Sequence, residues 1–134
     1  MTSGNSTQQK SILAIDDESD FLLLLKDALQ CHGYTVHTAS DPKAALKVYK
    51  EKRDEIGMVL LDYLFPETSG DAVFDELQRH NPDVRVVLVT GCEESVAENM
   101  LTKGLRGYLQ KPFDLTVLAQ KVRDAINAPE LSPD

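Results

Sequence analysis

Three stretches of the chain are apolar at consecutive positions: Ile12 to Ile15, Met58 to Leu61 and Val86 to Val89. A strand turns successive side chains to opposite faces, so an uninterrupted apolar run must be covered on both. These runs predict strands over 12–16, 58–62 and 84–90 in the interior of a parallel sheet, with helices on each side. "YTVHTA", 34–39, alternates apolar and polar positions as a half-buried edge strand does. "GYLQKP", 107–112, reads as a short strand stopped by Pro112. Between these runs the spacing turns helical. A helix over 20–33 stops at Gly33, and one over 41–52 opens on an Asp41 cap followed by Pro42. Helices over 69–80 and 93–104 follow, and one over 115–127 carries Leu115, Leu118, Val122 and Ile126 on one face. The result is five strands alternating with five helices, without an internal repeat. Residues 1–10 are polar and expected to be disordered, 11–127 form one domain, and 128–134 form a tail or linker.

Charge and composition narrow the function. The 134 residues are 42% hydrophobic with a net charge of -8, which suits one α/β domain and opposes direct nucleic-acid binding. No apolar stretch is long enough to span a membrane. Cys31 and Cys92 form no CxxC pair and are read as reduced thiols. His32, His37 and His80 lack metal-ligand spacing and are read as surface positions near element ends. A cytoplasmic protein that meets other proteins or cations fits these features.

In parallel sheets the ligand site lies beyond the carboxyl ends of the strands, where strand order reverses. The residues expected there are Asp16 and Asp17, Asp62, Thr90 and Lys111. Three close carboxylates repel unless a cation joins them, and Mg²⁺ accepts oxygen ligands and a phosphoryl oxygen together. Lys111 offers a point charge to a second phosphoryl oxygen, and the Thr90 hydroxyl can donate to a third. Asp62 can then act as nucleophile and carry an acyl phosphate. Each residue also has a plainer reading. Asp16, Asp17 and Glu18 suit a helix N-terminus, Asp62 can cap a loop amide, Thr90 suits a strand, Lys111 suits solvent, and Tyr108 suits packing.

The ordered set Asp16–Asp17, Asp62, Thr90 and Lys111–Pro112, with Pro66, Gly70 and Tyr108, resembles the receiver domain of two-component response regulators over residues 11 to 127. The resemblance implies a flavodoxin-like five-stranded parallel sheet in the order 2-1-3-4-5. It implies that Asp17, Asp62 and the Leu64 main-chain carbonyl bind Mg²⁺, with Asp16 acting through water. It also implies a cis bond before Pro112. The donor to Asp62 would be a histidine kinase or a histidine phosphotransfer protein. Thr90 and Tyr108 would then switch the surface of helix 4, strand 5 and helix 5 toward a downstream protein or a second copy. Such a chain is a signalling domain that catalyses its own phosphotransfer and slow dephosphorylation. The competing reading is a pseudo-receiver, an interaction module of the same fold that is never phosphorylated. A dehalogenase-like phosphatase wants an Asp where Leu64 stands, and a dinucleotide site wants glycines where "DDESDF" stands.

Two further positions bear on signal lifetime. Members that hydrolyse quickly carry polar side chains two residues after the acceptor Asp and two after the Thr. Leu64 and Cys92 occupy those positions and orient water poorly, which implies slow loss.

Overall fold

The computed structural model describes residues 10–129. The expected behaviour of 1–9 and 130–134 therefore lies outside the described residues. The elements run β1 (Ser11–Ile15), α1 (Ser19–Gln30), β2 (Val36–Ala39), α2 (Pro42–Lys52), β3 (Ile56–Leu61), α3 (Gly70–His80), β4 (Val86–Thr90), α4 (Ser95–Thr102), β5 (Gly107–Gln110) and α5 (Leu115–Asn127). All strand pairs are parallel, in the order β2-β1-β3-β4-β5.

The apolar runs behave as their period requires. In β1, Leu13 and Ile15 enter one core cluster while Ile12 and Ala14 enter the other. β3 divides in the same way, Val59 and Leu61 against Met58 and Leu60, and β4 sends Val86 and Leu88 one way and Val87 and Val89 the other. The first cluster also holds Phe74 and Leu77 of α3; the second holds Leu22 and Leu25 of α1 and Leu118 and Val122 of α5. Two dry layers thus clamp the central strands, which fixes their carboxyl ends at one rim.

Local signals set the helix ends. Asp41 accepts a hydrogen bond at 2.9 Å from the Ala44 amide, and Pro42 opens α2. Gly33 has φ 90°, and the amides of Gly33 and Tyr34 return to the carbonyls of Gln30 and Leu29 to close α1. The peptide bond between Lys111 and Pro112 is cis.

Two expectations are corrected. Leu115 is 45% exposed. It lines an open cleft between the end of α1 and the start of α5, and the buried face of α5 is formed by Leu118, Ala119, Val122 and Ala125. His37 is no surface residue: it lies within β2, half-buried, and its Nε2 has no hydrogen-bond partner among the described residues. Among the described residues, no helix is long and apolar enough to cross a membrane.

Gly70 positions the loop after β3. Its amide donates to the Tyr63 carbonyl at 2.6 Å, and a Cβ there would stand 2.6 Å from the Asp62 carbonyl oxygen and 2.8 Å from the Tyr63 Cα. Both are backbone atoms and cannot swing aside. Gly70→Ala is expected to lower stability by about 1–3 kcal/mol, the usual cost of overpacking. Gly91→Ala, with nothing within 4 Å of the added carbon, is expected to be near neutral. Urea unfolding of both variants checks the pair; equal midpoints would remove the constraint assigned to Gly70.

Candidate functional site

The strands stop one residue before the charged groups: β1 at Ile15, β3 at Leu61 and β5 at Gln110. Asp16, Asp62 and Lys111 are therefore the first residues beyond the sheet, still tied to it by their amides. The Asp16 amide donates to Ala39, the Asp62 amide to Ile15, and the Lys111 amide to Thr90, at 3.2, 3.0 and 2.9 Å. The sheet order reverses between β1 and β3, and there Asp16 and Asp62 stand side by side, both buried. With exposed Asp17 they bring one carboxylate oxygen each to within 4.8 Å of one another. This is the donor set a hard divalent cation takes.

Lys111 crosses the rim to meet them. Its Nζ lies 2.9 Å from Asp16 Oδ2, 3.5 Å from Glu18 Oε1 and 3.9 Å from Asp62 Oδ2. Burial pulls the ammonium pKa down, but the Asp16 hydrogen bond and the charges of Asp16, Asp62 and Glu18 outweigh it and hold the group above its usual range. Burial raises the Asp16 carboxyl, and the Asp62 charge adds to that; the Glu18 amide and Lys111 offset only part of it. A single lysine thus leaves the pocket short of positive charge. A divalent cation fits that deficit.

The two carboxylates differ in what they have left to offer. Asp16 spends Oδ1 on the Glu18 amide at 2.9 Å and Oδ2 on Lys111. Asp62 spends Oδ1 on the Tyr63 amide at 2.7 Å, while Lys111 stops too far from Oδ2 for a hydrogen bond. Asp62 thus holds a loop amide as anticipated, whereas α1 carries no side-chain cap: Asp16 accepts from the amide of Glu18, the residue before the helix, in a local turn.

At the other side of the rim, Thr90 is buried, and its hydroxyl accepts from the Cys92 amide at 3.3 Å. The Cys92 carbonyl accepts from the Tyr108 hydroxyl at 2.6 Å and from Gln110 Nε2 at 3.2 Å. Burial, then the charges of Glu94, Cys92 and Glu93, raise the Tyr108 pKa, so it stays a neutral donor. Leu64 is 59% exposed at the mouth, and Cys92 is half-buried. Two residues escape sequence reasoning in any site role. Glu18 reads only as part of a helix start. Phe21 reads only as part of the helix over 20–33, yet Lys111 Nζ stands 4.1 Å from its ring centroid.

Comparison with known proteins places these features. The model of the response regulator receiver domain family matches residues 12–123. The sensor kinase CckA of Brucella abortus is 34% identical over 125 residues, covering 92% of this chain and 13% of that protein. The alkaline phosphatase synthesis regulator PhoP of Bacillus subtilis is 29% identical over 124 residues, 92% of this chain and 51% of that protein. The chain thus spans about half, or much less, of the length of such curated relatives. A receiver domain protein from Clostridium thermocellum superposes with a TM-score of 0.83 at 32% identity, covering 88% of this chain and 94% of its own. Response regulator TrrA of Thermotoga maritima, in complex with Mg²⁺-BeF, gives 0.78 at 30% identity, covering 87% and 99%. With the strand order, the clustered acids and the lysine on the same rim, these matches establish that the chain belongs to the response regulator receiver domain family of two-component systems.

Proposed function

We propose that Asp62 is the phosphoacceptor and that residues 11–127 form the receiver domain, with 1–10 a polar N-terminal segment and 128–134 a tail or linker. The observation that carries this reading is the unequal use of the two buried carboxylates. Asp16 has both oxygens engaged, whereas Asp62 Oδ2 faces the lysine without a hydrogen bond from it. A phosphohistidine of a kinase or phosphotransfer protein is the donor in this reading. Asp62 Oδ2 attacks phosphorus, the new O–P bond replaces the N–P bond, and the histidine nitrogen keeps the electron pair and takes a proton. Asp17, Asp62 and the Leu64 main-chain carbonyl would hold Mg²⁺, with Asp16 acting through water. Bound there, Mg²⁺ supplies charge neutralisation for the phosphoryl oxygens. Lys111 meets a second oxygen and the Thr90 hydroxyl a third. The Tyr108–Cys92 hydrogen bond links the loop after β4 to β5, which supports a readout through the surface of α4, β5 and α5 toward a downstream protein or a second copy. The domain would act in the cytoplasm beside its donor.

Intact-mass spectrometry after acetyl phosphate and Mg²⁺ is expected to show one phosphoryl adduct, absent from Asp62→Asn; equal yield in that variant would refute the assignment. Mg²⁺ at 100 times its Kd is expected to raise stability by about 2.7 kcal/mol, and Asp17→Ala to remove most of the gain. Thermal melts with and without Mg²⁺ check this, and an unmoved midpoint at saturation argues against a metal site. Phospho-Asp62 is expected to decay slowly, because Leu64 and Cys92 align no water. Leu64→Asn with Cys92→Glu is expected to speed the decay measured after donor removal. A wild-type half-life of seconds, or a double variant no faster, would overturn the lifetime reading.

A further inference from the structure

Among the described residues, four side chains lie close to the Lys111 ammonium, and they differ in what becomes of them when the site is filled. Asp16 is the nearest, at 2.9 Å, but it belongs to the acid cluster that a cation would neutralise. Asp62 belongs to the same cluster and is the proposed acceptor. The Glu18 side chain is 68% exposed, so solvent screens its pull. The fourth neighbour is the face of Phe21, with Nζ 4.1 Å from the ring centroid. An aromatic ring offers no ligand atom to Mg²⁺, so of these four partners the ring and the solvent-screened Glu18 are the two that lie outside the cluster a cation would neutralise.

The ring is itself held in place. Phe21 sits in the first turn of α1, partly buried against the core cluster of Leu22, Leu118 and Val122. Phe113, just beyond the cis peptide, meets it edge-on, with centroids 6.0 Å apart and planes at 78°. This edge-to-face contact fixes the plane of the ring that faces Lys111. The aromatic face at position 21 has the Lys111 ammonium above it.

We propose that Phe21 is a positioning residue for Lys111: its ring face holds the ammonium over the pocket when the acid cluster is neutralised, so that the lysine meets the incoming phosphoryl group without rearranging. The proposal rests on the reading of Asp62 as acceptor. In the metal-free protein Asp16 holds the lysine whether or not the ring is present. With the acids neutralised the ring becomes the main restraint, so its removal weakens phosphoryl binding and spares metal binding.

The test uses the full chain and beryllofluoride with Mg²⁺ as the phosphoryl probe, comparing wild type, Phe21→Leu, Phe21→Tyr and a series with one, two and three fluorines on the Phe21 ring. Fluorination drains the ring face while nearly preserving size, so it remains informative even if Phe21→Leu folds poorly. Expected results are a beryllofluoride affinity lowered roughly two- to thirtyfold in Phe21→Leu, restored in Phe21→Tyr, and lowered stepwise along the fluorine series. Mg²⁺ affinity is expected to stay within about twofold throughout. The Lys111 ε-methylene protons are expected to show an upfield ring-current shift in the metal-free wild type that Phe21→Leu abolishes. Unchanged beryllofluoride affinity in Phe21→Leu, a flat fluorine series, or a parallel loss of Mg²⁺ affinity would each overturn the proposal. A wild type that takes up no beryllofluoride at saturating Mg²⁺ would instead sink the acceptor reading, and the ring-current shift would still decide whether ring and lysine meet.

Discussion

Like charges collect at the point where the sheet order reverses, and the organisation of this domain follows from how that crowding is managed. Two carboxylates a few ångströms apart repel by about 4 kcal/mol at an effective dielectric constant near 20, and burial makes the cost greater. The chain spends one ammonium on the problem. Lys111, at the end of the opposite edge strand, reaches over β4 and β3 to Asp16, 95 residues away in sequence. That contact ties the first strand to the last at the rim. Because one lysine cannot neutralise three acids, the rim keeps a standing affinity for further positive charge.

The remaining features of the site serve to keep the acids where their repulsion is useful. The Asp16 and Asp62 amides are pinned to neighbouring strands, so neither residue can relax outward with its loop. Gly70 lets the loop after β3 fold down onto the Asp62 carbonyl, at a separation no side chain would permit. Phe74 and Leu77 anchor the helix that follows in the core. Stability is therefore committed to holding a destabilising cluster in place, a pattern in which strain at a site is offset by packing elsewhere.

The fold is legible in the sequence because burial on both faces leaves a mark that tertiary context cannot erase. Ile12 to Ile15, Met58 to Leu61 and Val86 to Val89 could not lie at an edge or on a surface. Asp16, Asp17, Asp62 and Thr90 are legible because each follows or ends such a run, and Lys111 because it ends the short strand stopped by Pro112. Leu115 is misread because a helical stripe does not reveal where its helix outruns the core. His37 is misread because sequence spacing cannot show how far a residue within an edge strand is covered. Phe21 and Glu18 are invisible as site residues for a related reason. Their partner, Lys111, comes from the far edge of the sheet, and no local pattern in α1 records it.

Asp16 shows why the local role of a residue need not compete with the functional one. Its Oδ1 accepts the Glu18 amide in a local turn ahead of α1, and this fixes the direction in which Oδ2 points. Oδ2 then faces the pocket and takes Lys111. The turn bond leaves the carboxylate one free direction and so orients the ion pair. Asp62 follows the same logic, its Oδ1 held by the next amide and its Oδ2 turned inward. In both residues a short local hydrogen bond, of a kind common at loop starts, converts a mobile carboxylate into an oriented one. The difference between them is the lysine: bonded to Asp16 Oδ2 at 2.9 Å and standing 3.9 Å from Asp62 Oδ2, it leaves the latter oxygen without its hydrogen bond.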